Sequence, residues 1–585
     1  MKKRLFLRCL IPFLSGILLS INLSSQTNWN LAMPTDGAGS ASPEVTKGMC
    51  TDASGNVYLV GQFNGATDFN LSTGGTNIFT STGNDGFVVS YDKDGNYRWH
   101  TIINGGGSDF IAPSGAICTN GTFVWFTGAV NVASSAVVAS SSNTVTIPTV
   151  ANGSDNIVGK LNCSNGAVNW AVTFGGTTSN DGGQGICMDP NGCCYVIGGY
   201  GGTTGFSLNG HAAPTAGGAS DLYIAKFGAN GNLLRIATGG SSTGADMISA
   251  GAGICYVPGA TPAIVAGASM ATGSGSYGSF NYSSSGGVDA VILELDTALT
   301  ITNMLGMGGA GASTDEVLGV TYDPFSGGVY IAGYFNGASI ALSGAGTISG
   351  AGVQDIMVAR YSVAGNNFTW AKSAGGSGDD RAYAITADGQ GGILISGNSG
   401  SSPCTFNGSI STNNSGGAND LYAARYNTSG TPIWALAAGG SGDDQARAIA
   451  SYVQTTPYVQ NVYVSGNFQN SVTFNGTTLT SDGTNSNDFF LARINDLATP
   501  LAATQSQVNL TCNGVCTGQA SVVASGGTAP YTYAWSPSGG SGATASSLCA
   551  INYTCTITDA ASNSITKTFV ITQPPAIVIT PISQT

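Results

Sequence analysis

Charge is scarce in this chain. Asp, Glu, Lys and Arg make up only 8% of its 585 residues, against about a quarter in ordinary soluble domains. Lys and Arg number 17 against 30 acids, a formal net charge of −13. No basic stripe is present to neutralise phosphates, which argues against nucleic acid as a partner. Histidine is rarer still: His100 and His211 are the two, far apart in the chain. No Ser/His/Asp triad or His-rich metal site can be assembled from them. Beyond the first 25 residues no apolar run approaches the ~20 residues that a membrane span needs.

Glycine and short apolar runs fill the space that charge leaves. The chain holds 88 Gly and is 42% hydrophobic. Gly supplies the positive φ that tight turns need, so the composition reads as many short strands joined by turns. The N-terminus differs. Lys2, Lys3, Arg4 and Arg8 precede an apolar stretch from Leu10 to Leu23, and Ser24-Ser25 offer small residues for cleavage before Gln26. Residues 1–25 read as a secretory signal peptide, which implies a secreted or outer cell-surface protein with no membrane span after cleavage.

Self-comparison is the most informative step. An apolar run ending in Gly recurs seven times: VYLVG (Gly61), VWFTG (Gly128), YVIG (Gly198), AIVAG (Gly267), VYIAG (Gly333), ILISG (Gly397) and VYVSG (Gly466). The spacing is 64–70 residues. A second apolar run opens on Asp85, Asp155, Asp221, Asp289, Asp355, Asp420 and Asp488, each 22–27 residues after its Gly. A turn such as DKDGN follows, and in four units a Trp: Trp99, Trp170, Trp370 and Trp434. Each unit therefore holds four strands, the pattern of a β-propeller blade. The seventh unit lacks a Trp strand, and a spare one, Asn28-Trp29-Asn30-Leu31-Ala32-Met33, lies near the N-terminus. The expected fold is all-β: a seven-bladed β-propeller over 26–497, its last blade closed by the N-terminal strand. The units resemble the seven-bladed propeller repeats of secreted proteins from Bacteroidetes-type bacteria. That resemblance implies a fold and carries no catalytic motif.

After Pro500 the period stops. Residues 498–508 read as a linker. Residues 509–575 hold CNG, SGGTAPYTYAW, YTCTITDA and ITQPP. Alternating Tyr531, Tyr533 and Trp535 mean that one face of a strand packs into a core. These elements resemble the SprB-like repeat of the gliding-motility surface adhesin of flavobacteria. The resemblance implies an immunoglobulin-like β-sandwich at the cell surface. The Cys that usually follows the TD turn is absent after Asp559. Instead Cys512, Cys516, Cys549 and Cys555 are the disulfide candidates, and three pairings remain open. Residues 576–585 resemble the opening of the same unit, so a further, truncated repeat is expected there.

Several residues invite a functional reading. The loop entering each innermost strand carries an acid: Glu44, Asp109, Asp181, Asp246, Asp315, Asp380 and Asp444. Repetition places them on one rim. A ligand-collecting ring would take a cation, with calcium the metal that suits oxygen ligands. The structural alternative, favoured here, is that each carboxylate accepts backbone N–H bonds. The double acids Asp379-Asp380 and Asp443-Asp444 are the weak metal candidates. The second Asp series reads as turn caps. Cys50, Cys118, Cys187 and Cys255 occupy one equivalent position, where small buried thiols are expected. Cys193-Cys194 resembles the vicinal pair of quinoprotein dehydrogenases, but neighbours on a strand point to opposite faces.

No cofactor is predicted. The leading expectation is a non-enzymatic surface binding or adhesion protein, its partner an extracellular polysaccharide or surface protein, linked to gliding motility. The ligand would meet loops such as Asn64 to Asn84 and Asn131 to Ser154. A polysaccharide-acting hydrolase or lyase, a quinoprotein, and a purely structural envelope component are the alternatives.

Overall fold

The computed structural model describes residues 28–578 apart from 35, 38–43, 71–77, 105–115, 132–134, 149–153, 176–180, 202–206, 209–210, 213–219, 242–252, 272, 285, 310, 409, 413–415, 456–457, 482–486, 497–500, 526, 528–530 and 560–563. The signal peptide, Asp109 and Asp246 lie outside the described residues. The chain is all-β.

Each of the first six repeats forms an antiparallel meander of four strands in chain order. In the fifth, Glu316–Asp323 pairs with Gly328–Asn336, then Gln354–Ser362, then Asn367–Gly375. The Gly-ending runs are the second strands. Their side chains are buried on both faces, from Val57 to Val60 and from Val329 to Ala332. Each lies inside a sheet covered on both sides, hence a continuous apolar run rather than an alternation.

The Gly that ends the run has a steric cause. A Cβ at Gly61, Gly198, Gly333, Gly397 or Gly466 would strike the carbonyl oxygen of Val45, Gly182, Glu316, Arg381 or Gln445 on the innermost strand. At that level the innermost strand carries a β-bulge.

The last sheet is completed from the other end of the chain. Asn28–Pro34 pairs antiparallel with Asn487–Asp496, which pairs with Tyr458–Gln469 and then Gln445–Thr455. Trp29 is 5% exposed and meets Phe474 edge-on at 5.0 Å.

Two devices tie neighbouring sheets together. The Trp of one fourth strand reaches the hairpin turn of the following sheet: Trp99 Nε1 donates to Cys163 O, Trp170 Nε1 to Ala229 O and Trp370 Nε1 to Thr428 O, each at 2.9 Å. Elsewhere, the connection after a second strand folds into a hairpin on its neighbour's outer edge. Ser135–Ser140 and Thr144–Pro148, from the loop expected to meet ligand, extend the first sheet beyond Tyr97–Asn104. That hairpin covers an edge which would otherwise offer unpaired backbone groups.

Beyond the repeats, two three-stranded sheets share a core that includes Leu510, Trp535, Tyr553, Cys555 and Phe569. The linker expected at 498–508 is corrected here: Ala502–Val508 is an edge strand of this unit, paired with Gly518–Ser525, and Leu501 enters its core. Cys516 and Cys549 form a disulfide. Cys512 is exposed and Cys555 is buried in the core, both as free thiols.

Candidate functional site

The five described acids that open innermost strands do not line an open rim. Glu44, Asp181, Asp315, Asp380 and Asp444 are all buried, at 4% exposure or less. Each carboxylate accepts hydrogen bonds at its strand entrance, and three of them join the loop leaving the preceding sheet to their own sheet. Asp315 accepts from Gly309 N at 2.9 Å and Asn336 N at 2.9 Å. Asp444 accepts from Gly440 N at 2.9 Å and Gln469 N at 3.2 Å. Asp380 accepts from Gly376 N at 2.8 Å and from the hydroxyls of Ser399 and Ser401. Gly201 N donates to Asp181, and Thr67 Oγ1 to Glu44. Buried carboxylates need such donors, so the repeated acid pins the strand entrance.

The second Asp series lies beside the first. A Cβ at Gly175 would meet both Asp155 and Asp181, and one at Gly375 both Asp355 and Asp380. The glycine of each loop thus fits between carboxylates of adjacent sheets, a pairing that reading these residues as turn caps does not foresee. Burial pushes Asp355 above the usual carboxylate range, with Asp380 adding to it against two backbone donors. Burial likewise pushes Asp444 up to about 7, with Asp420 and Asp443 adding to the shift.

The double acids serve the joints between sheets. Asp379 is half-buried and ion-paired with Arg381 at 2.9 Å. Asp443 accepts from Asn419 Nδ2 at 2.8 Å and Gln445 Nε2 at 2.9 Å. Among the described residues, no three His, Cys, Asp or Glu side chains are grouped to hold a metal.

A concavity built by all seven repeats lies elsewhere. Each innermost strand packs against the next, and Gln445–Thr455 packs against Val45–Thr51. Together they surround a cavity of about 180 Å3 to which every innermost strand contributes. Five bulged residues line it: Lys47, Gln184, Leu318, Tyr383 and Arg447. A bulge leaves one residue unpaired and re-aims its side chain. Arg447 lies over the ring of Tyr383, its Cζ 3.9 Å from the centroid, and donates one N–H to Gln445 Oε1. Its Nε is buried without a hydrogen-bond partner, as is Gln184 Oε1. Burial, then the charge of Arg447, lowers Lys47 to about 7.

Sequence reasoning missed this cluster. A signal was present: the five stand three residues before the position held by Cys50, Cys187, Thr321, Thr386 and Ala450. At that position the innermost strands carry Lys47, Gln184, Leu318, Tyr383 and Arg447, four of them long polar or aromatic side chains. The cysteines expected as thiols are free, and Cys193 and Cys194 are not joined.

The SprB repeat family model matches residues 504–540, from the edge strand through Trp535. SprB repeats are found in cell-surface proteins. No curated protein matches the chain. Among solved structures, a protein of unknown function from Dyadobacter fermentans is similar over 80% of this chain and 99% of its own, at 10% identity and TM-score 0.35. A europium-containing methanol dehydrogenase is similar over 80% and 94%, at 12% identity and TM-score 0.33. The Vibrio cholerae biofilm matrix protein Bap1 is similar over 85% and 88%, at 12% identity and TM-score 0.21. At such identities and scores no activity passes to this chain.

Proposed function

We propose that this is an adhesin-like binding protein of the outer cell surface, associated with gliding motility. In this reading the seven four-stranded sheets are blades of a β-propeller, and the chain binds an extracellular saccharide or surface protein without transforming it. The SprB repeat at residues 504–540 carries the proposal, because such repeats are found in cell-surface proteins. The cavity enclosed by all seven innermost strands supports the propeller. Buried acids that accept hydrogen bonds within the fold, as the five described ones do, suit a scaffold better than a pair of glycosidase carboxylates, which must reach a substrate from opposite sides of a bond.

Two measurements test it. Purified full-length protein applied to a glycan and polysaccharide array should retain ligand saturably and release it chemically unchanged. Turnover of any polysaccharide under the same conditions would replace the binding reading with an enzymatic one. Antibody labelling of intact cells should reach the protein from outside; labelling only after lysis would end the surface assignment.

A further inference from the structure

Two basic side chains, Lys47 and Arg447, face one cavity, and no carboxylate among the described residues is ion-paired to either. Among the described residues neither Lys47 nor Arg447 forms an ion pair, whereas Arg381, Arg425 and Arg493 all do. The chain has 17 basic residues in all, so placing two of them side by side in its central cavity is uneconomical for stability. Unpaired buried charge costs free energy, and like charges raise that cost. Arg447 has a partial structural explanation in Tyr383 and Gln445. Lys47 has none, and a neutral side chain would serve the fold better there.

The remaining lining narrows the chemistry. Gln184 presents an amide oxygen without a donor, a group that would accept a hydroxyl. The unbonded Arg447 Nε–H would serve a carboxylate oxygen, since guanidinium groups match planar carboxylates. The cavity, at about 180 Å3, is smaller than the ~300–1,000 Å3 of sites for drug-sized ligands. It suits one ring with one charged group.

We propose that the central cavity binds the carboxylate of a single uronic acid ring, held between Lys47 and Arg447, with Gln184 accepting one of the ring hydroxyls. The proposal rests on the surface-binding reading and names the class of saccharide that would be recognised. An anion there would compensate both charges, and a neutral sugar would compensate neither.

Isothermal titration of the full-length protein with methyl β-glucuronide tests this, with methyl β-glucoside and glucuronamide as uncharged counterparts. Glucuronide should bind at least tenfold more tightly than either. Lys47→Gln and Arg447→Gln should each weaken it tenfold or more, Lys47→Gln without lowering the melting transition, and Arg447→Lys should recover part of the loss. Acetylation of Lys47, followed by mass spectrometry, should slow when glucuronide is present. Equal binding of glucuronamide, or glucuronide binding indifferent to both substitutions, would overturn the site. So would no measurable glucuronide binding. Inorganic phosphate or sulfate binding as tightly as glucuronide, with the same sensitivity to Lys47→Gln, would overturn the sugar assignment. Array binding that survives both substitutions would leave the adhesin reading standing while removing this site.

Discussion

The main-chain N–H of Glu44 donates to the carbonyl of Asn487 at 2.7 Å, joining the first repeat to the last. The same bond recurs within the array: Asp181 N to Ser154 O, Asp315 N to Val288 O and Asp444 N to Asn419 O, at 2.8–3.0 Å. Each links the acid entering one sheet to the residue just before the third-strand Asp of the preceding sheet. The joint between the chain's two ends is therefore built like the internal joints. Its stability depends on the N-terminal strand.

Trp29 anchors that strand, buried against Phe474 with its indole N–H on Ala437 O at 3.3 Å. Trp29→Ala should cost about 3–5 kcal/mol, the usual range for a large aromatic removed from a core. Hydrogen exchange should accelerate first in Asn487–Asp496, the strand it covers. Unchanged protection there would mean that the seam does not hold the last sheet.

Arg425 lies between Asp388 and Asp496 at 2.8 and 2.7 Å, all three buried, and Trp434 Nε1 also donates to Asp496. Arg425→Leu would leave two buried carboxylates without their cation and should cost about 3–5 kcal/mol in urea unfolding. Adding Asp388→Asn and Asp496→Asn should restore much of the loss. A triple variant as unstable as the single would show that lost packing, not stranded charge, is the cause.

Asp444 gives stability a pH dependence with a definite sign. Its folded value, about 7, is above the ~3.9 of an unfolded Asp. The folded state therefore holds the proton more tightly, so this site favours folding at low pH and that advantage is lost as pH rises from about 4 to 7. Asp444→Asn should flatten this part of the profile in chemical denaturation. A variant profile parallel to wild type would place the titration elsewhere.

The Cys516–Cys549 disulfide closes a loop with sequence separation 33 in a small unit. Removing it by Cys516→Ser should lower that unit's stability by about 2–4 kcal/mol. Cys512→Ser, at an exposed free thiol, should leave the melt unchanged. The reverse ranking would reassign the bridge.

Much of the fold was legible in the residues, and for local reasons. Apolar runs closed by Gly61, Gly198 or Gly466 mark second strands because strand burial and steric room are written into single positions. DKDGN marks a turn because Asp92 Oδ1 accepts from Asp94 N and Asn96 N, both at 2.9 Å, while Gly95 takes a positive φ. The N-terminal strand was legible by subtraction, since the seventh unit lacked a fourth strand and the strand bearing Trp29 lacked a unit. The start of the last unit was not: Ala502–Val508 has exposed, polar edge-strand residues, and nothing in its pattern separates it from a linker.

The period, the four strands of each unit, the closing strand and the SprB-like module can be read from the residues alone. Each is a matter of spacing or alternation along one chain. The burial of the acids, the pairing of Cys516 with Cys549 and the meeting of Lys47 with Arg447 at one cavity emerge in three dimensions alone. Those outcomes depend on β-bulges and on contacts between sheets remote in sequence, where one unpaired residue turns a side chain from the sheet toward the centre.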